Sequence, residues 1–270
     1  MTDSLQTLIT AVQTADSSTK LIGSVRQLAA TADIGAIPTL IDTLGYNNPG
    51  AAVAAVDGLV AIGEPAIPAI LDQLDQHNYT ARSWAIRALA GIGDPRGLVT
   101  LLGAATADFA VSVRRAAARG LGSMKWHWFP PDVLEIAQEE ALEALLFAAT
   151  QDDEWIVRYS AIVGLQSLAI AVRTTYPQWN QQITSQIRAI AINDECLTVR
   201  ARCIMAQRHL SMISDAQPPA SDGRRSFNLE DTEWQRIMVQ LYERKQKERQ
   251  AFPEGDPQRF RSIAADLRTR

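Results

Sequence analysis

Cysteine and histidine are scarce in this chain of 270 residues, which contains two cysteines and three histidines. Cys196 and Cys203 are too few for a disulfide framework or a zinc cage. No two histidines stand four residues apart, so the sequence predicts no metal site. The seven-residue spacing of the cysteines is typical of one helix face, and we expect both as small buried side chains.

An excess of basic residues is also missing, since the formal net charge is −4. This balance argues against nucleic acid as a partner, because a phosphate backbone is bound by a basic surface. The first 20 residues are amphipathic rather than basic and then apolar, which argues against a signal peptide. No apolar run approaches the roughly 18 residues of a membrane span. We therefore expect no membrane span and a cytoplasmic location.

What the sequence does contain is a repeat. The segment "AIPTLIDTLGYNNPGAAVAAVDGLVAIGEP" (36–65) aligns without a gap with the next 30 residues. Further copies start near residues 96, 140 and 182, and residues 4–33 resemble an irregular end unit. Each copy holds two helical patterns and no strand-like alternation. The sequence predicts an all-α repeat solenoid over residues 1–213, with about five helix pairs and an N-terminal cap.

Turn residues mark where these helices begin and end. Gly63 and Gly93 suit left-handed helix ends, and Asp94 suits an N-cap before Pro95. Inside the repeats, N-cap chemistry is expected from Asn48, Asn78, Asp108, Asp152, Asp153, Asn193 and Asp194.

Arginine recurs near the start of the second helices. The positions are Arg82, Arg114, Arg158 and Arg200. In a helical-repeat solenoid such an arginine favours a structural bond to an acidic or carbonyl group of the adjacent repeat. The repeat does not determine Arg87, Arg115, Arg119 and Tyr159, which are free to serve a ligand or a partner.

The repeat is broken at residues 123–138, where Trp126, His127, Trp128 and Phe129 precede two prolines. Two tryptophans two residues apart cannot both face the core of one helix. One of them covers a groove or a partner, or the cluster is an aromatic plug in a kinked gap; both interpretations stay open. No phosphate loop, catalytic triad or metal motif is present. The residues alone indicate a helical-repeat binding scaffold for a flat acidic ligand or a protein helix.

The particular residues of the repeats, beyond their helical pattern, resemble a known family. The segments "AIPTLIDTLGYNNPGAAVAAVDGLVAIG", "ARSWAIRALAGIGDPR", "DFAVSVRRAAARGLGSMKW" and "DDEWIVRYSAIVGLQSLA" closely resemble the F-type subunits of cyanobacterial phycocyanobilin lyases. This family has HEAT-like repeats, and the resemblance covers residues 4–210. It implies a heterodimer with an E-type subunit that joins phycocyanobilin through a thioether to a cysteine of the phycocyanin α subunit. It also implies that the reaction can run backwards or transfer the bilin, with no permanently bound cofactor.

The resemblance also suggests how a bilin would be held. Propionates favour arginine forks, and pyrrole nitrogens favour a carboxylate. Flat rings favour aromatic walls. The candidate bilin-binding residues are Trp84, Arg87, Arg115, Trp126, His127, Asp152, Asp153, Trp155, Arg158 and Tyr159. The alternative is a non-enzymatic adaptor that grips phycobiliproteins during assembly or breakdown.

Relatives that also isomerise the bilin carry an Asn-His-Cys motif at what looks like the turn of Tyr46, Asn47 and Asn48. The turn here has no side chain that titrates near neutrality, as a proton shuttle requires. The resemblance therefore implies attachment without isomerisation.

After residue 213 the composition changes. Residues 216–226 read as a linker, and residues 214–270 hold 11 basic and 10 acidic residues. Within this extension Trp234, Ile237, Met238 and Leu241 have the spacing of a one-sided helix. We expect an amphipathic helix that docks on the open end of the solenoid or on the partner; a loosely ordered charged extension is the alternative.

Overall fold

The computed structural model describes residues 2–74, 79–214 and 231–251. Throughout these ranges the regular structure is helical and contains no strand, which confirms the all-α class. The chain divides into two compact units, Met1–Gly97 and Leu98–Arg270.

The first unit contains three helix pairs. Its helices are α1 (Thr2–Gln13), α2 (Ser18–Ala29), α3 (Ile37–Leu44), α4 (Pro49–Ile62), α5 (Ile67–Leu74) and α6 (Tyr79–Ile92). The second helix of each pair packs against the next, α2 on α4 and α4 on α6. Gly58 permits the first of these contacts, since a Cβ there would lie 2.7 Å from the Cβ of Ala29. Small residues therefore set how closely the second helices approach.

The helix ends of the first unit lie where the sequence predicts them. Gly63 and Gly93 have φ of 79° and 67°, so the predicted positive-φ helix ends are confirmed. Asn48 caps α4 as predicted, because its Oδ1 accepts from the Ala51 amide at 3.1 Å. Its Nδ2 also donates to Ser18 Oγ at 2.9 Å, which ties α4 to the start of α2. Asn78 lies outside the described residues.

Within its described residues, 98–214 and 231–251, the second unit contains three further pairs and one additional helix. Its helices are α7 (Leu98–Ala107), α8 (Val111–Gly122), α9 (Pro131–Gln151), α10 (Trp155–Val172), α11 (Pro177–Asn193), α12 (Leu197–Ser214) and α13 (Asp231–Ala251). The second helices α8, α10 and α12 form one layer, while α7, α9 and α11 form the other. The described residues contain six helix pairs, and their division into about five repeats and an N-terminal cap stays a prediction.

Helix α10 of this unit is both long and apolar. By length and composition it could cross a membrane, with a mean hydropathy of 1.5 over 18 residues, so the expectation that no run reaches that length was wrong. It packs against α8, α9, α11 and α12, and 56% of it is buried. Burial between helices explains its apolar character as that of a core helix.

The aromatic insertion folds as a 3-10 turn over Trp126–Trp128. Trp126 is only 8% exposed and packs on Phe129, with ring centroids 5.3 Å apart. Trp128 is half-buried, and the Lys125 ammonium lies 4.0 Å from its ring centroid. For Trp126 these contacts favour the plug interpretation.

Helix α13 packs against α9 and α7 rather than on an open end of the array. Ile237 and Leu241 are buried, and the Trp234 ring lies 5.7 Å from that of Phe129. Arg244 Nε donates to Glu140 Oε2 at 3.2 Å, and Lys245 pairs with Glu139. The helix thus has an apolar contact and a charged contact. The proposed domain boundary at residue 213 stays a prediction.

We expect Leu241→Ala to release α13 locally. Truncating a fully buried leucine costs about 2–5 kcal/mol, which is large for one docked helix. Hydrogen exchange should show lost amide protection in α13 with protection kept in α9. Val239→Ala is the control, because Val239 is exposed on the same helix. Equal protection of α13 in both variants would contradict the docking.

Candidate functional site

Two buried arginines connect successive repeats of the second unit. Arg114 donates from Nε to Asp152 Oδ2 at 2.7 Å and from Nη2 to Oδ1 at 3.1 Å. Arg158 repeats this geometry on Asp194 at 2.8 and 3.1 Å. Hydrogen bonding to these carboxylates raises the pKa of both arginines above the ordinary value. The structural interpretation of Arg114 and Arg158 is confirmed, and we call this series the arginine ladder.

The same arginines also hold the turn of their own repeat. Arg114 Nη1 donates to the carbonyl oxygens of Asp108 and Phe109, at 2.9 and 3.2 Å. Arg158 Nη1 does the same with Asp152 and Asp153, at 2.9 and 3.1 Å. Each guanidinium therefore satisfies two carbonyls and one aspartate, and Arg158 Nη2 also donates to Glu195 Oε1 at 3.3 Å.

The N-cap predictions for Asp108, Asp152 and Asp194 were wrong. The cap residues of α8 and α10 are Ala110 and Glu154, neither with a side-chain cap. Each aspartate instead accepts from the amide two residues on, at 2.8–2.9 Å. This local turn aims the carboxylate at the preceding repeat, where Asp152 and Asp194 meet an arginine.

A groove of about 850 Å³ runs along these turns. It is lined by Thr106, Ala107, Asp108, Arg114, Phe147, Thr150, Gln151, Asp152, Asp153, Arg158, Asn193, Asp194 and Glu195. Three of the predicted bilin-binding residues, Asp152, Asp153 and Arg158, thus come together. The lining has five carboxylates and two guanidiniums, and both guanidiniums are bound to carboxylates. An anionic propionate would meet a net negative surface here.

Asp194 and Glu195 belong to this groove but were not among the predicted site residues. The sequence contains a signal for Asp194, because Asp108, Asp152 and Asp194 recur at the same spacing from the arginines of the ladder series. Their partners could not be assigned without the packing of the helices.

The remaining predicted residues lie elsewhere. In the first unit Arg87 is exposed on α6, with its guanidinium carbon 5.5 Å from the centroid of the half-buried Trp84 ring. In the second unit Arg115 is exposed on α8 and Tyr159 is half-buried on α10. Within its own unit, each of these side chains is accessible without breaking an ion pair of the ladder.

Two further predicted residues are exposed in the second unit. His127 stands in the 3-10 turn, its ring edge-on to Trp128 at 6.0 Å. Trp155 begins α10 and is 43% exposed.

The turn that matches the isomerase motif is open to solvent at two of its three residues. Tyr46 and Asn47 are exposed, and Asn48 is occupied by its cap and by Ser18. The turn has no thiol or imidazole.

The two cysteines differ in environment. Cys203 is fully buried, and this burial raises the pKa of its thiol to about 12. Cys196 directly precedes α12 and is half-buried, so its expected full burial was wrong. Hydrogen bonding with the Val199 amide lowers the pKa of the Cys196 thiol, with help from Thr198.

We expect iodoacetamide to alkylate Cys196 and to spare Cys203. Because the Cys196 pKa is lowered, its thiolate forms at lower pH than that of an ordinary cysteine, and its rate should level off earlier as pH rises. Mass spectrometry of the native protein from pH 6 to 10 measures which cysteine is labelled and how fast. Cys196→Ser should abolish native labelling and urea should restore it at Cys203. Labelling of native Cys203 would contradict the assignment.

Comparison with known proteins agrees with this class of protein, an all-α chain of packed helix pairs. The family profile of HEAT repeats matches residues 67–166, which confirms the HEAT-like fold. A phycocyanobilin lyase subunit beta of Pseudanabaena tenuis is 57% identical over 99% of this chain and 98% of its own length. The chain belongs to the family of phycocyanobilin lyase beta subunits.

Two other relatives match a shorter part. The subunit of the same name from Nostoc sp. is 48% identical over 74% of this chain and 97% of its own length. A solved complex of CpcE and CpcF of phycocyanin lyase from Nostoc sp. PCC7120 contains a chain with 48% identity and a TM-score of 0.59. That match covers 65% of this chain and 99% of the other. About a quarter of this chain has no counterpart in the Nostoc subunit, whereas the Pseudanabaena relative matches nearly all of it.

Proposed function

We propose that this chain is one subunit of a heterodimeric lyase that attaches phycocyanobilin to a cysteine of the phycocyanin α subunit. The observation that carries the proposal is the 57% identity, over nearly both full lengths, with a phycocyanobilin lyase subunit. The relative from Synechocystis named phycocyanin alpha phycocyanobilin lyase CpcF supports the acceptor, at 53% identity over 78% of its length. The solved CpcE and CpcF complex supports an E-type partner.

The chemistry requires little of the lyase beyond positioning. The acceptor supplies the thiol, whose sulfur adds to the ethylidene carbon of the bilin while its proton goes to the neighbouring ring carbon. This addition consumes no oxidant and forms one thioether. Holding an extended bilin in one conformation next to the thiol makes the addition effectively intramolecular.

Accessible side chains are the best candidates for that positioning. Arg87 and Arg115 are exposed and outside the ladder. Each can therefore bind a propionate without leaving a buried carboxylate unpaired. Trp84 and Tyr159 offer ring faces. We assign Asp152, Arg158 and Trp126 to structure, because the first two are bound to the ladder and the third is buried. The exposed Asp153, Trp155 and His127 remain candidates.

Co-expression with an E-type subunit, apo-α-phycocyanin and a source of phycocyanobilin tests the assignment. We expect covalent, zinc-fluorescent bilin on the α subunit only when both lyase subunits are present. Equal attachment with the E-type subunit alone would refute it, and would favour the adaptor. Arg115→Ala should reduce attachment at least tenfold, and the exposed Arg188→Ala on α11 is its control.

The adduct should carry phycocyanobilin, not phycoviolobilin. Isomerisation moves a double bond, which needs a group that takes and returns a proton. The turn at Tyr46, Asn47 and Asn48 offers amides and a phenol, and it has no imidazole or thiol for that proton transfer. The absorption spectrum of the purified adduct measures the outcome. A violet-shifted phycoviolobilin band would contradict the prediction.

A further inference from the structure

The arginine ladder stops at α12. Arg114 pairs with Asp152 of the next repeat, and Arg158 pairs with Asp194 of the one after. Arg200 holds the same position near the start of α12. Its hydrogen bond runs from Nε to the Ala191 carbonyl oxygen at 3.1 Å, and no carboxylate of the described residues pairs with it. Within the part of the chain that the structure describes, the next rung of the ladder therefore lacks its aspartate.

The outer face of α12 is apolar where earlier second helices are covered. Ile204 corresponds to Ile162 of α10 and to Ala118 of α8, which are both fully buried. Ile204 itself is 44% exposed.

Other apolar side chains extend this surface. Leu197, Met205 and Met212 are 74%, 59% and 72% exposed. At 3.6 residues per turn, they and Ile204 fall within an arc of about 100°. We call Leu197, Arg200, Ile204, Met205 and Met212 the α12 end face. Of these residues, Arg200 and Ile204 stand at the positions that the following repeat covers on α10, where Arg158 is 6% and Ile162 0% exposed.

We propose that the α12 end face docks a helix pair of the partner subunit, whose inter-helix turn supplies an aspartate to Arg200. This inference rests on the proposed function, which gives the chain an E-type partner. The chemistry of the occupant comes from the two completed rungs. There an aspartate binds the arginine at 2.7–3.1 Å, while an apolar helix covers the position of Ile204.

Other occupants fit the face less well. The helix α13 of this chain has its buried side on α9 and α7. The Nostoc subunit matches only 74% of this chain, so it has no counterpart of the remaining quarter. In the Nostoc subunit, that quarter therefore cannot be what covers an equivalent face. In a symmetric pair of α12 end faces, the nearest aspartate, Asp194, is already bound to Arg158.

A matched pair of double variants tests the docking. Arg200→Glu with Ile204→Lys alters the face, and Arg26→Glu with Ile34→Lys makes the same changes at exposed positions of the first unit. Isothermal titration with the E-type subunit should give a Kd at least tenfold weaker for the first variant and within twofold of wild type for the second. Circular dichroism spectra should show both variants folded with wild-type helix content at the titration temperature. Equal affinities would overturn the proposal.

A labelling experiment on the full chain identifies the occupant. Met205→Cys in a Cys196→Ser background should react rapidly with maleimide in the free chain and at least tenfold more slowly with the E-type subunit. Slow labelling in a free monomer would show that the chain covers the face itself, and slow labelling in a free dimer would show a second copy. Either result overturns the proposal. If wild-type chain and E-type subunit attach bilin while labelling stays fast, this inference fails and the proposed function stands.

Discussion

Replacing Arg158 with alanine is expected to lower the free energy of unfolding by about 3–5 kcal/mol, as measured by urea denaturation. The change leaves the Asp194 carboxylate, whose side chain is 7% exposed, without its guanidinium. It also removes the donor to the carbonyl oxygens of Asp152 and Asp153. A buried charge that has lost its partner is among the most destabilising outcomes of a single substitution.

The matched control is Arg188→Ala, which removes an exposed arginine of α11 in the same unit and should change stability by less than about 0.5 kcal/mol. Arg158→Lys should lie between the two, because an ammonium cannot reproduce the two-point contact with a carboxylate. If Arg158→Ala lost bilin attachment while unfolding at the wild-type urea concentration, Arg158 would be a ligand residue and the structural assignment would fail.

The second large effect is expected at Gly164. A Cβ there would overlap the Ala118 carbonyl oxygen of α8 and lie 2.7 Å from Leu145 Cδ2. The first contact is with backbone, so relief requires α8 and α10 to move apart. Overpacking of this kind costs about 1–3 kcal/mol and occasionally more, and we expect Gly164→Ala at or above the upper figure.

Gly103→Ala is the control for this substitution. Gly103 lies in α7 of the same unit, and a Cβ there has no atom within 4 Å. Alanine is the better helix former, so this variant should be neutral or more stable by up to about 1 kcal/mol. Similar thermal melts for the two variants would show that α8 and α10 do not approach as closely as described.

The sequence predicted those parts of the molecule that depend on neighbouring residues. The 30-residue repeat predicted the helix pairs, and Gly63, Gly93 and Asn48 adopt the turn roles assigned to them. These features depend on local backbone preferences and on one apolar face per helix. The resemblance of the repeat wording predicted the family, which the Pseudanabaena relative shows.

Parts of the site were predictable by residue type but not by partner. The recurrence of Arg114 and Arg158 indicated structural bonds. It did not indicate that Asp152, a candidate for the pyrrole nitrogens, would be the carboxylate bound by Arg114. Asp152 and Arg114 are 38 positions apart, and only the packing of consecutive repeats brings them within 2.7 Å.

The sequence by itself determined the helices, the helix ends at Gly63, Gly93 and Asn48, and the family of this protein, since these follow from residue type and spacing along the chain. Tertiary structure alone decided that Trp126 is buried and that α13 docks on α9 and α7. It also decided that Arg200 is half-buried and Ile204 exposed, whereas Arg158 and Ile162 are buried. Equivalent residues in successive repeats have equivalent local preferences. Their exposure differs because it depends on whether another helix packs against them.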